Sequence, residues 1–98
     1  QKGREDEATE AFNQVFQTLA QNLKEGLSVS ANENQDQAAK LLDAIRTYGF
    51  DCSIEVFGHI GKGYVYNPEF KENIDKFGAG TAQYTSDVIA FYVENQAK

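Results

Sequence analysis

The chain carries one cysteine and one histidine, Cys52 and His59, seven residues apart. Any nucleophilic or metal-assisted chemistry has to be built around those two side chains. Nucleophilic catalysis needs a nucleophile, a base beside it and a third group that orients the base. A metal site needs three or four ligands, and no second histidine or cysteine exists to complete one. The acidic residues are scattered over polar stretches, and Glu5, Asp6 and Glu7 read as a solvated helix start. No glycine-rich phosphate loop is present. This pattern argues against an enzyme, against a metal site and against a bound cofactor, and His59 reads as a packed or surface residue.

Cys52 has two readings. A thiol just ahead of a helix N-terminus has its pKa lowered by the helix dipole and can add to an electrophilic alkene. Alternatively it is a small, half-buried hydrophobe that only packs. Asp51 beside it is a negative charge that opposes ionisation.

These residues must be positioned by helices. In residues 5–25, Phe12, Val15, Phe16, Leu19 and Leu23 recur at the spacing of an amphipathic helix, with acidic residues at its start and Gly26 at its stop. Residues 34–48 place Ala38, Leu41, Leu42, Ile45 and Tyr48 on one face, with Asn34 as the expected cap and Gly49 as the end. "NPEFKENIDKFG" predicts a helix over 68–77. Asn67 caps it, Pro68 opens its first turn, Gly78 closes it, and Phe70, Ile74 and Phe77 face inward. Residues 80–95 carry Tyr84, Val88, Phe91 and Tyr92 at helical spacing.

The segment between, 53–66, is ambiguous. As a helix capped by Ser53 it aligns Val56, Phe57, Ile60 and Tyr64. As a hairpin it alternates Ile54, Val56, Tyr64 and Tyr66. Glycines at 58, 61 and 63 each cost a helix roughly 1 kcal/mol relative to alanine. Local physics leaves both open. The surrounding helices favour an all-α domain, because a lone two-stranded hairpin is marginal. On that reading 53–65 is a helix, no sheet forms, and its glycines mark places where another backbone or a ligand comes close.

The whole sequence of 98 residues, 1–98, reads as one small domain. It has no methionine and begins at Gln1, which suggests a fragment, either a domain excised from a longer protein or a processed chain. A net charge of -6 argues against nucleic-acid binding by this segment. A single cysteine fits a reducing, cytoplasmic setting. No apolar run approaches the roughly 18 residues of a membrane span.

The run from Tyr48 to Val93 resembles the TipAS-type antibiotic-recognition domain, which is usually found at the C-terminus of MerR-family transcriptional regulators. The resemblance rests on "CSIEVFGHIGKGYV", "NPEFKENID" and "GAGTAQYTSDVIAFY". Cys52 and Ser53 open a helix, Ile60-Gly61 and Tyr64-Val65 follow, then Asn67 and Phe70, and last Gly80, Ala82 and Tyr84. His59 and Gly63 depart from the family pattern, as does the absence of tryptophan. The resemblance implies a small, globin-like all-α bundle of about five helices without haem. It implies a cleft between helices that takes bulky, largely apolar peptide antibiotics or related drugs. Occupancy would be signalled to a DNA-binding domain through a dimerising helix, making the full-length protein a homodimer; neither part lies in these residues.

Thiopeptide antibiotics carry dehydroalanines that family members can capture covalently, which adds weight to the reactive reading of Cys52. The expected ligand-binding residues are Cys52, Phe57, Tyr64, Tyr84 and Phe91. Of Phe57, Tyr64, Tyr84, Phe91 and Tyr92, two or three would touch ligand and the rest would be core. The ligand would enter where the 53–65 helix begins. Two other functions fit: a stand-alone drug-sequestering protein of the same fold, and a helical interaction domain with no small ligand.

Overall fold

Five α-helices form among the described residues, each started or stopped by identifiable local chemistry. The structure, a computed structural model, describes residues 2–97, with side chains from 6 to 96. The helices are α1 (Lys2–Lys24), α2 (Asn32–Tyr48), α3 (Ile54–Tyr66), α4 (Pro68–Asp75) and α5 (Thr81–Ala97). No strand occurs among the described residues, so the hairpin alternative for 53–66 is excluded.

The end of α1 follows from Gly26, which sits at φ 82°. That left-handed backbone lets Gly26 N–H reach Leu23 O and Leu27 N–H reach Asn22 O, both at 3.0 Å, and the two bonds satisfy carbonyls the helix end would otherwise leave bare. Ser53 caps α3 by accepting the Val56 N–H at 3.1 Å. Asn67 caps α4 by accepting from Glu69 N and Phe70 N, with Pro68 in the first turn. The start of α5 is capped from outside. Gly80 has no side chain to offer, and Asp75 Oδ1, at the end of α4, accepts the Ala82 N–H at 2.8 Å.

Two sequence expectations need correction. Asn34 does not cap α2. The helix begins two residues earlier, behind Ala31, and has no side-chain cap. Asn34 is instead fully buried in the first turns of the helix. Its Oδ1 accepts from Asn22 Nδ2 at 2.9 Å, and its Nδ2 donates to Ser28 O at 2.8 Å and to Tyr84 Oη at 2.5 Å. Tyr84 Oη in turn donates to Leu27 O at 2.6 Å. This polar hub ties α1, the α1–α2 connector, α2 and α5 together. A buried amide is worth more in such a satisfied network than as an exposed cap. Phe70, expected to face inward with Ile74 and Phe77, is 51% exposed, while Ile74 is buried. The core beneath α4 is filled by Ile74 alone from that helix, because α4 is short and only two turns long.

The core draws on every helix, with Leu19, Leu41, Phe57, Ile74 and Val88 among its buried members. The glycines of α3 divide by face. A Cβ on Gly61 would stand 2.9 Å from Ile89 Cγ2, so α3 and α5 meet there at a separation that side chains do not permit. A Cβ on Gly58 would meet Val93 at 3.6 Å, an ordinary contact on the same crossing. Helix packing accounts for both. Gly63 is different, with nothing within 4 Å of its would-be Cβ.

Candidate functional site

Gly63 opens onto a strongly apolar surface concavity. On its face of α3, Ile60, Gly63 and Tyr64 fall at i, i+3 and i+4, and they look toward α1 and α4 across a groove in two halves. One half, about 450 Å³, runs from Ala8 of α1 to Tyr48 at the end of α2 and Phe50 just after it. The other, about 440 Å³, lies between Phe16 of α1 and Ile74 and Phe77 of α4 and its C-terminal turn. Phe12, Tyr64 and Phe70 line both halves and form the ridge between them.

The ridge is built by aromatic contacts. The ring of Tyr64 stands edge-on to Phe16, with centroids 5.8 Å apart and planes at 81°. It meets Phe70 at 6.0 Å and 73°. Phe16 also touches Phe77 at 6.0 Å. Edge-to-face geometry is the favoured one for such rings. At the outer rim, Phe50 and Phe70 are each 51% exposed. Single exposed apolar residues are ordinary, but two large ones flanking one apolar groove make a contiguous patch, and such patches mark interaction surfaces. The turn carrying Phe50 is fixed from below, where Phe50 N–H bonds Ile45 O at 3.1 Å and Arg46 Nε donates to Cys52 O at 2.7 Å.

The electrostatics are sparse. Burial pushes the Tyr64 phenol up to about 12, with the nearby Cys52 thiol adding to the effect, so its hydroxyl stays neutral. Asn13 and Asn73 supply neutral polar groups on the α1–α4 half, and Lys76 is the one charged residue lining either half among the described residues. No group of three His, Cys, Asp or Glu among the described residues is placed to hold a metal ion. The arrangement suits burial of apolar ligand surface, at roughly 25 cal/mol per Å² removed from water. Each half falls within the size range of small-molecule sites.

Of the five residues singled out from the sequence, Tyr64 lies in this groove. Cys52 and Phe57 are fully buried in the core. Phe57 packs edge-on against Tyr92 at 5.9 Å, and Tyr84 is held in the polar hub. Phe91 is half-buried on α5 and lines neither half of the groove. The pKa of Cys52 moves opposite to the expectation. Burial raises it, Arg46 partly offsets that, and Asp51 adds to the rise. Its Sγ donates to Ser53 O at 3.4 Å. Desolvation of a thiolate with no exposed surface outweighs the pull of the α3 dipole. The groove also lies along the second half of α3, away from its start. Sequence reasoning passed over Phe12, Phe50 and Phe70 as site residues. Their one signal was an apolar side chain at the edge of a helical stripe, or just outside a helix.

Residues 1–92 match the family described as the TipAS antibiotic-recognition domain. Over 85 residues the chain is 26% identical to an HTH-type transcriptional activator, mta, of Bacillus subtilis (strain 168). That match covers 87% of this chain and 32% of the relative, so the chain spans about a third of the length of the curated protein it matches. Among solved structures, TipAS in complex with nosiheptide, from a thiopeptide antibiotic multidrug resistance system of Streptomyces lividans, is similar with a TM-score of 0.80 at 25% identity. The match covers 95% of this chain and 62% of that one.

Proposed function

The chain belongs to the family of TipAS antibiotic-recognition domains, and from that premise we propose that it is the effector-recognition part of a MerR-type transcriptional regulator. It takes a bulky, largely apolar peptide antibiotic or related drug in the groove between α1 and the α3–α4 pair. The DNA-binding and dimerising parts of that cytoplasmic regulator belong to the rest of the protein. One observation carries the reading: the two-part groove divided by Phe12, Tyr64 and Phe70 is aromatic, open and nearly free of charge. The resemblance to an HTH-type activator and to a nosiheptide-bound TipAS supports it.

Capture in this reading is reversible. The Cys52 thiol has no exposed surface and is kept protonated by burial. A nucleophile must be ionised and reachable to add to a dehydroalanine, and Cys52 meets neither condition. Titration with nosiheptide, followed by thermal shift and intact mass, tests both parts. Gly63→Leu fills open space in the groove and should weaken binding at least about tenfold, or about 1.4 kcal/mol. Cys52→Ala should bind within about tenfold of wild type, and the folded wild type should show no mass adduct. Undiminished binding by Gly63→Leu would move the site elsewhere, and an adduct on Cys52 would refute the reversible capture.

A further inference from the structure

The groove has two chemically different ends. The half against Phe50 and Ile60 is lined by no charged residue among those described. The half against α4 includes Lys76, Asn13 and Asn73 in its lining. The sequence has 15 acidic against 9 basic residues. None of the acidic ones that are described lines either half, and the single charge that does is positive. Lys76 makes no ion pair among the described residues. Asp75, next to it in sequence, is already engaged by Ala82 N–H and by Lys71 Nζ at 3.1 Å. A lysine in the lining of an apolar groove, unpaired in a chain of opposite net charge, complements an anion. The amide groups of Asn13 and Asn73, which line the same half, are further hydrogen-bond donors.

We infer that the ligand class is an elongated amphiphile, apolar along its body and ending in a carboxylate, which lies across the Phe12–Tyr64–Phe70 ridge with its acid at Lys76. This rests on the groove being the binding site, and it adds polarity and direction to that reading. It also sets the site against lipophilic cations, which an acidic protein would otherwise be expected to favour. The body of the ligand supplies apolar burial on both sides of the ridge. The acid fixes which way round it lies.

Calorimetric titration with decanoate, decanol and decylamine tests the inference, since the three share one tail and differ in the charge of the head. Wild type should prefer decanoate over decanol by roughly two- to fivefold, the range of a partly exposed charge pair, and bind decylamine most weakly. In Lys76→Gln the ratio of decanoate to decanol affinity should fall to about one, and Lys76→Glu should bring decylamine ahead of decanoate. Gly63→Leu should weaken all three together. Equal affinity for the three heads, no measurable binding of any, or a preference that survives Lys76→Gln overturns the inference. If Gly63→Leu weakens all three while no head is preferred, the groove stands and only its assigned polarity fails. If Gly63→Leu changes nothing, the groove itself is not the site.

Discussion

Tyr64 and Tyr84 differ in what their hydroxyls do. Tyr64 presents its ring to the groove, and burial keeps its phenol neutral far above neutral pH. Tyr84 gives its hydroxyl to the interior, donating to Leu27 O and accepting from Asn34 Nδ2. Removing the Tyr84 oxygen leaves a buried amide hydrogen and a carbonyl without their partners. Such losses cost about 1–3 kcal/mol, more than the bond contributes when made. Tyr84→Phe should therefore lower stability by that amount in urea unfolding monitored by circular dichroism, with ligand affinity retained. Aromatic residues are thus separated by burial into groove-lining and interior positions, which the residue type alone does not declare.

At the level of elements, much was legible and the reasons are local. Ser53 and Asn67 cap the helices they precede, Pro68 opens α4 and Gly26 ends α1. Each of those signals acts within four residues of its effect. The misreading of Asn34 has the opposite cause: its two side-chain partners lie 12 and 50 residues away, and nothing near it in sequence announces them. The groove was illegible for the same reason. It is bounded by side chains from α1, the turn after α2, α3 and α4, and a concavity has no sequence signature of its own. Asp75 is a further long-reach case, a side chain at the end of one helix capping the next. The bond from Ala82 N–H lowers its pKa, with Lys71 contributing. A lowered folded-state pKa means stability that is present above the ordinary value of 3.8 and lost as pH falls through the folded value. Asp75→Ala should cost about 1 kcal/mol at neutral pH, the worth of an N-cap. Asp75→Asn keeps an acceptor but not the charge, so the gap between it and wild type should shrink as unfolding is measured at pH values from neutral down past 3.8.

The molecule as a whole carries a net charge of -6, and no described helix is long and apolar enough to cross a membrane. Its field repels a phosphate backbone, so these residues alone should not shift duplex DNA in a gel even at low salt, where such attraction is strongest. A tight shift there would contradict the proposal that DNA binding lies outside these residues. Shape matters as much as charge to how such a bundle holds together. Helices bearing mainly apolar faces can slide along one another, because one aliphatic contact replaces another at little cost. A slip of one turn moves a helix by about 5.4 Å. The bonds from Asn34 to Asn22, Ser28 and Tyr84 are 2.5–2.9 Å long and do not survive such a displacement. Every slipped arrangement of α1, α2 and α5 strands amide and hydroxyl groups out of water, and each stranded group costs about 1–3 kcal/mol. The hub thus works as an alignment key: it makes one register of α1, α2 and α5 far cheaper than its neighbours.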